Sequence, residues 1–367
     1  MSESVKIKID GLTKSDILDT VLYLGEPKYR ADQIYKWVYV KGAVSVDDFT
    51  DMSKNFREVL KKYFEFTVMT SEEIVVSTSD SSVKVLFKLE DGEHIESVIL
   101  KDKDRITGCI STQVGCRMGC KFCNTAQMGL VRNLGSSEIV RQIIELNKIC
   151  LEHFSKDLSN LVFMGMGEPL DNVDNLIKAL NIILDGDGLG FSHRKVTVST
   201  CGVVNGLDKI FQMEKPVNLA VSINATTGDI RSSLMPINKK FPLEQLLSYL
   251  KTISLQKRKR ITFEYVLLKG INDSLDDAKR LAKMVKNIPS KVNLIVYNET
   301  ENSRFKKTDY DNVLAFQKVL TDMNITAFIR KSLGSDIKGA CGQLRGEHKK
   351  GGSYEQKACK GGYCPKF

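Results

Sequence analysis

The chain has 367 residues, of which 42% are hydrophobic, and a formal net charge of +9. It can bury one large core with an appendage, or two cores. It has no run of eighteen or more uncharged apolar residues, and no apolar stretch before a small-residue cleavage site at its start, so a soluble, cytoplasmic protein is expected, with no membrane partner. The positive excess is compatible with a polyanionic partner without requiring one. Nine cysteines, an odd number in a long chain without a secretory signal, do not read as a disulfide scaffold. They read as metal ligands, working thiols or core filler. Cys150, inside a helical run, reads as filler.

Residues 1–75 read as largely helical, with candidate helices at 15–24, 30–41 and 55–63. Between Tyr29 and Val38, apolar residues recur at helical spacing with basic residues among them. This fits a small packed domain with a solvated charged face; a face that docks RNA is the sharper alternative. Residues 73–100 change period, and residues 76–105 are read as a hairpin extension. Strands are expected at 83–89 and 94–100, and Glu90-Asp91-Gly92-Glu93 suits a hairpin turn between them.

From residue 106 strands and helices alternate. Strands are expected at 106–112, 160–164, 195–200, 217–223, 261–267 and 292–296. Helices are expected at 138–153, 173–184, 204–213, 243–254 and 275–285, followed by a helix at 310–322 and an extra strand at 326–330. This α/β pattern over residues 106–345 predicts a parallel sheet wound into a partial or full barrel, with a flat doubly wound sheet as the alternative. In either case ligands bind at the carboxyl edge of the strands. Residues 346–367, rich in Gly and Lys, are expected to be disordered or to order on a partner.

The chemistry is concentrated in Cys116-Arg117-Met118-Gly119-Cys120-Lys121-Phe122-Cys123, a Cys-x3-Cys-x2-Cys run just after the first strand of the repeat. Thiolates suit iron–sulfur clusters. Three of them can hold three irons of a 4Fe-4S cluster and leave the fourth iron open for a substrate. A structural zinc site would want a fourth ligand at finger-like spacing, and no His stands nearby.

This spacing resembles that of the radical-SAM superfamily, in which the open iron binds S-adenosylmethionine (SAM) and an electron from the cluster splits it into methionine and a 5′-deoxyadenosyl radical. Gly165-Met166-Gly167-Glu168-Pro169 follows the second strand, as that superfamily's Gly-Glu-Pro motif does. Cys109 to Cys116, Cys123 to Leu134 and Asp336 to Leu344 narrow the likeness. Over about residues 20 to 345 the chain resembles the RlmN family of RNA adenine methyltransferases. The resemblance implies a partial (β/α)6 radical-SAM barrel with a helical accessory domain and a β-hairpin extension. It also implies methylation of adenine C2 in large-subunit ribosomal RNA, and of the adenine beside the anticodon in some transfer RNAs, by a monomer that consumes two SAM per methyl group.

Adenine C2 is electron-poor, so direct methyl transfer from a sulfonium fails there. The resemblance implies instead that Cys341 is methylated by one SAM. A second SAM supplies a radical that takes a hydrogen from the S-methyl group, and the methylene adds to C2. Cys109 then attacks the Cys341 sulfur and releases the base through a transient disulfide, while Glu96 accepts the C2 proton. Such a cycle needs a one-electron donor such as flavodoxin or ferredoxin, and a thiol reductant. The resemblance further assigns SAM contacts to Gly167, Glu168, Ser199, Ser222, Asn224 and Asn298. Asn224 stands where the family usually reads His, which puts a side-chain contact there in question. Read without the resemblance, Cys109 is a core residue of an apolar strand and Glu96 a solvated strand carboxylate. Cys201 reads as packing. Cys359 and Cys364 read as incidental thiols, or alternatively as an auxiliary redox or metal pair. The rival readings are a Cfr-like C8 methyltransferase, for which Cys123-Asn124-Thr125-Ala126 is the wrong sequence after the third ligand, a small-molecule radical-SAM enzyme, and a non-catalytic iron–sulfur RNA-binding protein.

Overall fold

The computed structural model describes residues 6–255, 259–299 and 303–346. The expected disorder of the tail, from residue 347 onward, and both of its cysteines lie outside the described residues. Three helices, Lys14–Tyr23, Tyr29–Tyr39 and Lys54–Tyr63, build the N-terminal part. Thr13 starts the first: its hydroxyl accepts from the Asp16 amide, and the Asp16 carboxylate accepts from the Thr13 amide. Ile34, Val38, Phe49 and Leu60 fill the space between the helices with no solvent exposure.

Seven parallel strands form one side of a ten-stranded sheet, out to its edge. In spatial and chain order they are Arg105–Cys109, Asn160–Phe163, Val196–Thr200, Asn218–Ser222, Ile261–Leu267, Ser290–Val296 and Ala327–Arg330. On the far side of Arg105–Cys109 the sheet continues antiparallel through His94–Asp102, Val83–Leu89 and Met69–Val76. The two edge strands do not pair, so the barrel stays open. The sheet is nevertheless curled, because residues from all seven parallel strands line one lumen of about 580 Å³. A flat doubly wound sheet could not do this. Among the described residues no helix is long and apolar enough to cross a membrane.

Three features depart from the expected pattern. The strand expected at 106–112 leaves the sheet after Cys109, and Gln113–Cys116 instead pairs antiparallel with Gly129–Asn133 in a separate ribbon. Gly115 enforces the turn: its φ is +73°, and a Cβ there would lie 1.9 Å from the Gly129 carbonyl oxygen. The extension has a third strand, Met69–Val76, which runs across residue 75. Its mostly exposed, polar Met-Thr-Ser-Glu-Glu start hides the strand period. The helix expected at 204–213 is a 3-10 turn, Val204–Gly206, followed by the single short helix Leu207–Phe211.

A buried charge network ties the helical part to the barrel. Asp10 accepts from the amide and hydroxyl of Thr67 and lies 3.4 Å from Arg141 on the helix Ser136–Phe154. Asp10 and Arg141 are both buried. Removing one member leaves the other charge desolvated, although Glu145 remains 3.7 Å from Arg141. Asp10→Ala is therefore expected to cost about 3 kcal/mol in denaturant unfolding of the cluster-free protein. A loss under about 0.5 kcal/mol, the level of an ordinary surface change, would contradict it.

Candidate functional site

Cys116 ends the strand Gln113–Cys116, and Cys120 and Cys123 lie on the loop from there to the short helix Asn124–Gln127. Backbone bonds hold that loop on both sides. The Lys121 amide donates to the Leu234 carbonyl at 2.9 Å, and the Asn124 amide to the Gly342 carbonyl at 2.8 Å. Arg117 at its outer edge grips Asp171 with two nitrogens, at 2.8 and 2.6 Å. Cys116, Cys120 and Cys123 all line one hollow of about 170 Å³ at the carboxyl edge of the strands. Burial pushes the Cys116 thiol up to about 12 and raises Cys120 and Cys123 as well. As bare thiols they are protonated at neutral pH, so taking up a cationic cluster must release protons. Among the described residues no three His, Cys, Asp or Glu side chains gather as a single metal ion would require. Three soft donors around a shared hollow fit a multi-iron cluster instead.

The expected SAM contacts border the same hollow: Gly167, Glu168, Ser199, Ser222, Asn224 and Asn298. Their roles divide. Gly167 serves packing, since a Cβ there would lie 2.6 Å from the Gln113 side chain. Glu168 is buried, which raises its pKa. Its two oxygens accept the amides of Leu170 at 3.1 Å and Cys201 at 2.8 Å, so it braces two strand ends. Asn224 has φ +54°, a conformation Asn tolerates better than most residues. Its amide oxygen accepts from the Val266 amide at 2.9 Å and its nitrogen meets Met235 sulfur at 3.3 Å. Ser199 donates to Glu264 at 3.3 Å. Cys201 is buried and borders the hollow as well.

Cys109 ends the first barrel strand, and Cys341 lies on the loop after the last; both line the large lumen. Cys341 also borders the cluster hollow, so it stands where the two spaces meet. Cys109 is buried and Cys341 exposed. Burial, with the Cys341 thiol beside it, pushes the Cys109 thiol up to about 12, and Arg330 offsets part of that rise. Arg330 is itself held 3.2 Å from Glu264. Neither Arg330 nor Glu264 was anticipated. The signal for Glu264 was a lone charge inside the apolar strand Ile-Thr-Phe-Glu-Tyr-Val-Leu. Glu96 is buried on the neighbouring strand and lines neither space. Its carboxylate meets Lys84 at 2.8 Å and accepts the amides of Arg345 at 2.6 Å and Gly346 at 3.2 Å, so it sits under the loop that carries Cys341.

These environments predict unequal thiol reactivity. In cluster-free protein at pH 7, iodoacetamide should label Cys341 while leaving Cys109 largely unmodified. Because the raised pKa keeps Cys109 protonated, its labelling should climb about tenfold per pH unit up to its titration near 12. Peptide mass spectrometry would contradict this if Cys109 were alkylated as fast as Cys341 at pH 7.

Comparison with known proteins gives the same picture. The profile of the Radical SAM superfamily matches residues 110–285, and that of the ribosomal RNA large subunit methyltransferase N-terminal domain matches residues 7–66. The chain is 46% identical over 341 residues to the dual-specificity RNA methyltransferase RlmN of Geotalea uraniireducens, covering 93% of this chain and 97% of that one. It is 45% identical to the protein of the same name from Geobacter sulfurreducens, covering 93% and 92%. A radical SAM methyltransferase from Sphaerobacter thermophilus has the same fold, with a TM-score of 0.88 and 38% identity over 93% of this chain and 100% of that one. With near full-length identity of this order, the chain belongs to the RlmN family of radical-SAM methyltransferases.

Proposed function

We propose that the protein methylates C2 of a specific adenine in large-subunit ribosomal RNA, before ribosome assembly, and of the adenine beside the anticodon in some transfer RNAs. The observation that carries this reading is the position of Cys341 between the cysteine-triplet hollow and the lumen. Two spaces meeting at one thiol suit a methyl group made reactive on one side and delivered on the other. The two relatives are named dual-specificity RNA methyltransferases.

Held at Cys116, Cys120 and Cys123 and in the adjoining hollow, a 4Fe-4S cluster with SAM supplies one-electron chemistry that removes a hydrogen atom. Cys341 provides the carbon: its sulfur loses a proton on methylation, and its S-methyl group then loses one hydrogen atom. The methylene carbon forms a bond to C2, after which the adduct gives up the C2 proton and one electron, which would return to the oxidised cluster. Glu96 receives that proton, which requires its contact with Lys84 or the 345–346 amides to loosen when RNA binds. Cys109 as thiolate attacks the Cys341 sulfur; a sulfur–sulfur bond forms, the carbon–sulfur bond breaks, and the released carbon takes a proton to become methyl. A thiol reductant restores both cysteines.

The lumen supports an RNA base as substrate. Thr107, Thr197, Thr262 and Asn293 line it with hydrogen-bonding groups where most barrels pack branched aliphatics. Lys195 and Lys291 line its amino end, where phosphates would follow a base drawn out of its stack, while Arg105 there is paired with Asp102 at 2.8 Å. We assign initial RNA docking to the helical region 1–75, with residues 76–105 as the extension and 106–345 as the radical-SAM core. The protein acts as a cytoplasmic monomer supplied with electrons by a flavodoxin or ferredoxin.

The test is anaerobic methylation of RNA from cells lacking the enzyme, with the cluster reconstituted and the product nucleosides identified by mass spectrometry against standards. 2-Methyladenosine is expected; exclusive 8-methyladenosine, or no methylated RNA despite SAM cleavage, would overturn the reading. Within the same assay Glu96→Gln should leave Cys341 S-methylation intact and slow RNA methylation at least about 10²-fold. An unchanged rate would remove Glu96 from the proton step.

A further inference from the structure

Arg231, on the helix Gly228–Leu234, has no solvent exposure and is the largest of the fully buried side chains among the described residues. Its guanidinium donates to the carbonyls of Cys201 at 2.8 Å and Ile223 at 3.2 Å, with Ser222 and Phe241 further off, and to the Asn238 side-chain oxygen at 2.8 Å. Every one of these partners is neutral. Among the described residues no carboxylate lies within ion-pair distance of it, although Glu244 is near enough to favour the cation. A charge taken fully out of water without a counter-charge is costly, and carbonyl dipoles offset only part of that cost.

The helix that carries Arg231 is bonded to the cysteine loop, because the Leu234 carbonyl accepts the Lys121 amide at 2.9 Å. Cys120 and Cys201 are among the groups whose negative charge would favour the cation. Cys201 and Ser222, which accept from Arg231, also line the hollow that holds the cysteine triplet. A cluster bound through three thiolates is anionic, and it gains a further negative charge on reduction.

We propose that Arg231 is the fixed counter-cation of the cluster, a permanent positive charge packed against the cysteine loop that raises the cluster's reduction potential. The inference rests on the cluster being held by Cys116, Cys120 and Cys123, and is independent of which RNA atom is methylated. The positive charge favours the reduced state, in which the cluster is more negative, and low dielectric around a buried site strengthens the effect. Arg231 acts through the cluster and so is a positioning and tuning residue. It also braces the carboxyl ends of Val196–Thr200 and Asn218–Ser222, a structural role that would not by itself shift a potential.

The experiment is an anaerobic redox titration of the reconstituted full-length protein, with chemical mediators, read by the electron paramagnetic resonance of the reduced cluster. Iron content is checked for each variant. Arg231→Met removes the charge, Arg231→Lys keeps it, and Asn238→Asp places a carboxylate 2.8 Å from the guanidinium and neutralises it in place. Arg231→Met and Asn238→Asp should each lower the ratio of reduced to oxidised cluster at fixed potential about tenfold, equivalent to about 59 mV. Arg231→Lys should stay within about threefold of the parent, or about 28 mV. A cluster-loaded Arg231→Met or Asn238→Asp with the parental potential overturns the proposal, as does Arg231→Lys shifting as far as Arg231→Met. If Arg231→Met takes up no cluster, Asn238→Asp decides by the same thresholds.

Discussion

Three hydrogen bonds join two loops that lie more than two hundred residues apart, and the site depends on them. The Asn124 amide donates to the Gly342 carbonyl, the Asn124 side chain to Gln343, and the Thr125 hydroxyl to Leu344. The first loop carries the cysteine triplet, and the second carries Cys341. Radical chemistry succeeds only when the reactive carbon is within reach before the radical finds something else, so the alignment must exist before the reaction starts. Without this seam the 341 loop, beyond the last strand, would be an ordinary surface connection. With it, Cys341 faces the cluster hollow on one side and the lumen on the other.

Burial gives the cysteines their separate characters. Desolvation raises the thiols of the triplet, so binding a cluster there would have to displace their protons. Cys109 is raised too, yet has no metal to relieve it. Its thiolate is scarce at neutral pH, and the guanidinium of Arg330 favours it when it does form. A thiol that stays protonated until late in the cycle is protected from methylation and from premature disulfide formation with Cys341. Cys341, more exposed, is free to be alkylated first. Under the proposed mechanism, this difference in solvent access would let Cys341 be alkylated before Cys109 reacts.

Much of this was legible in the sequence, for identifiable reasons. The parallel strands are short apolar runs between amphipathic helices, and Ile261–Leu267, Val173–Leu184, Leu275–Val285 and Tyr310–Asp322 fall where the periodicity puts them. The cysteine spacing identified the triplet directly. Where local pattern failed, a tertiary cause took over. The strand expected at 106–112 leaves the sheet after Cys109, and the chain then turns into a ribbon where Gly115 meets Gly129; Met69–Val76 hides among exposed polar residues. The Gly-Glu-Pro stretch was located correctly, but Gly167 is required by Gln113 behind it, and both oxygens of Glu168 accept backbone amides. Arg231 and Arg330 carried no signal at all. Arg231, in a polar-looking stretch, reads as surface; the folded chain buries it and sets Arg330 in the wall of the lumen.

The central claim is that Cys341 carries the transferred carbon and that Cys109 releases it. The most direct measurement is the fate of Cys109→Ala incubated anaerobically with SAM, reductant and RNA. The account predicts a stable covalent protein–RNA conjugate joined through a single carbon on Cys341, seen as a shifted band that nuclease digestion reduces to a modified Cys341 peptide. Free methylated RNA released over many turnovers by Cys109→Ala, with Cys341 unmodified, would contradict it.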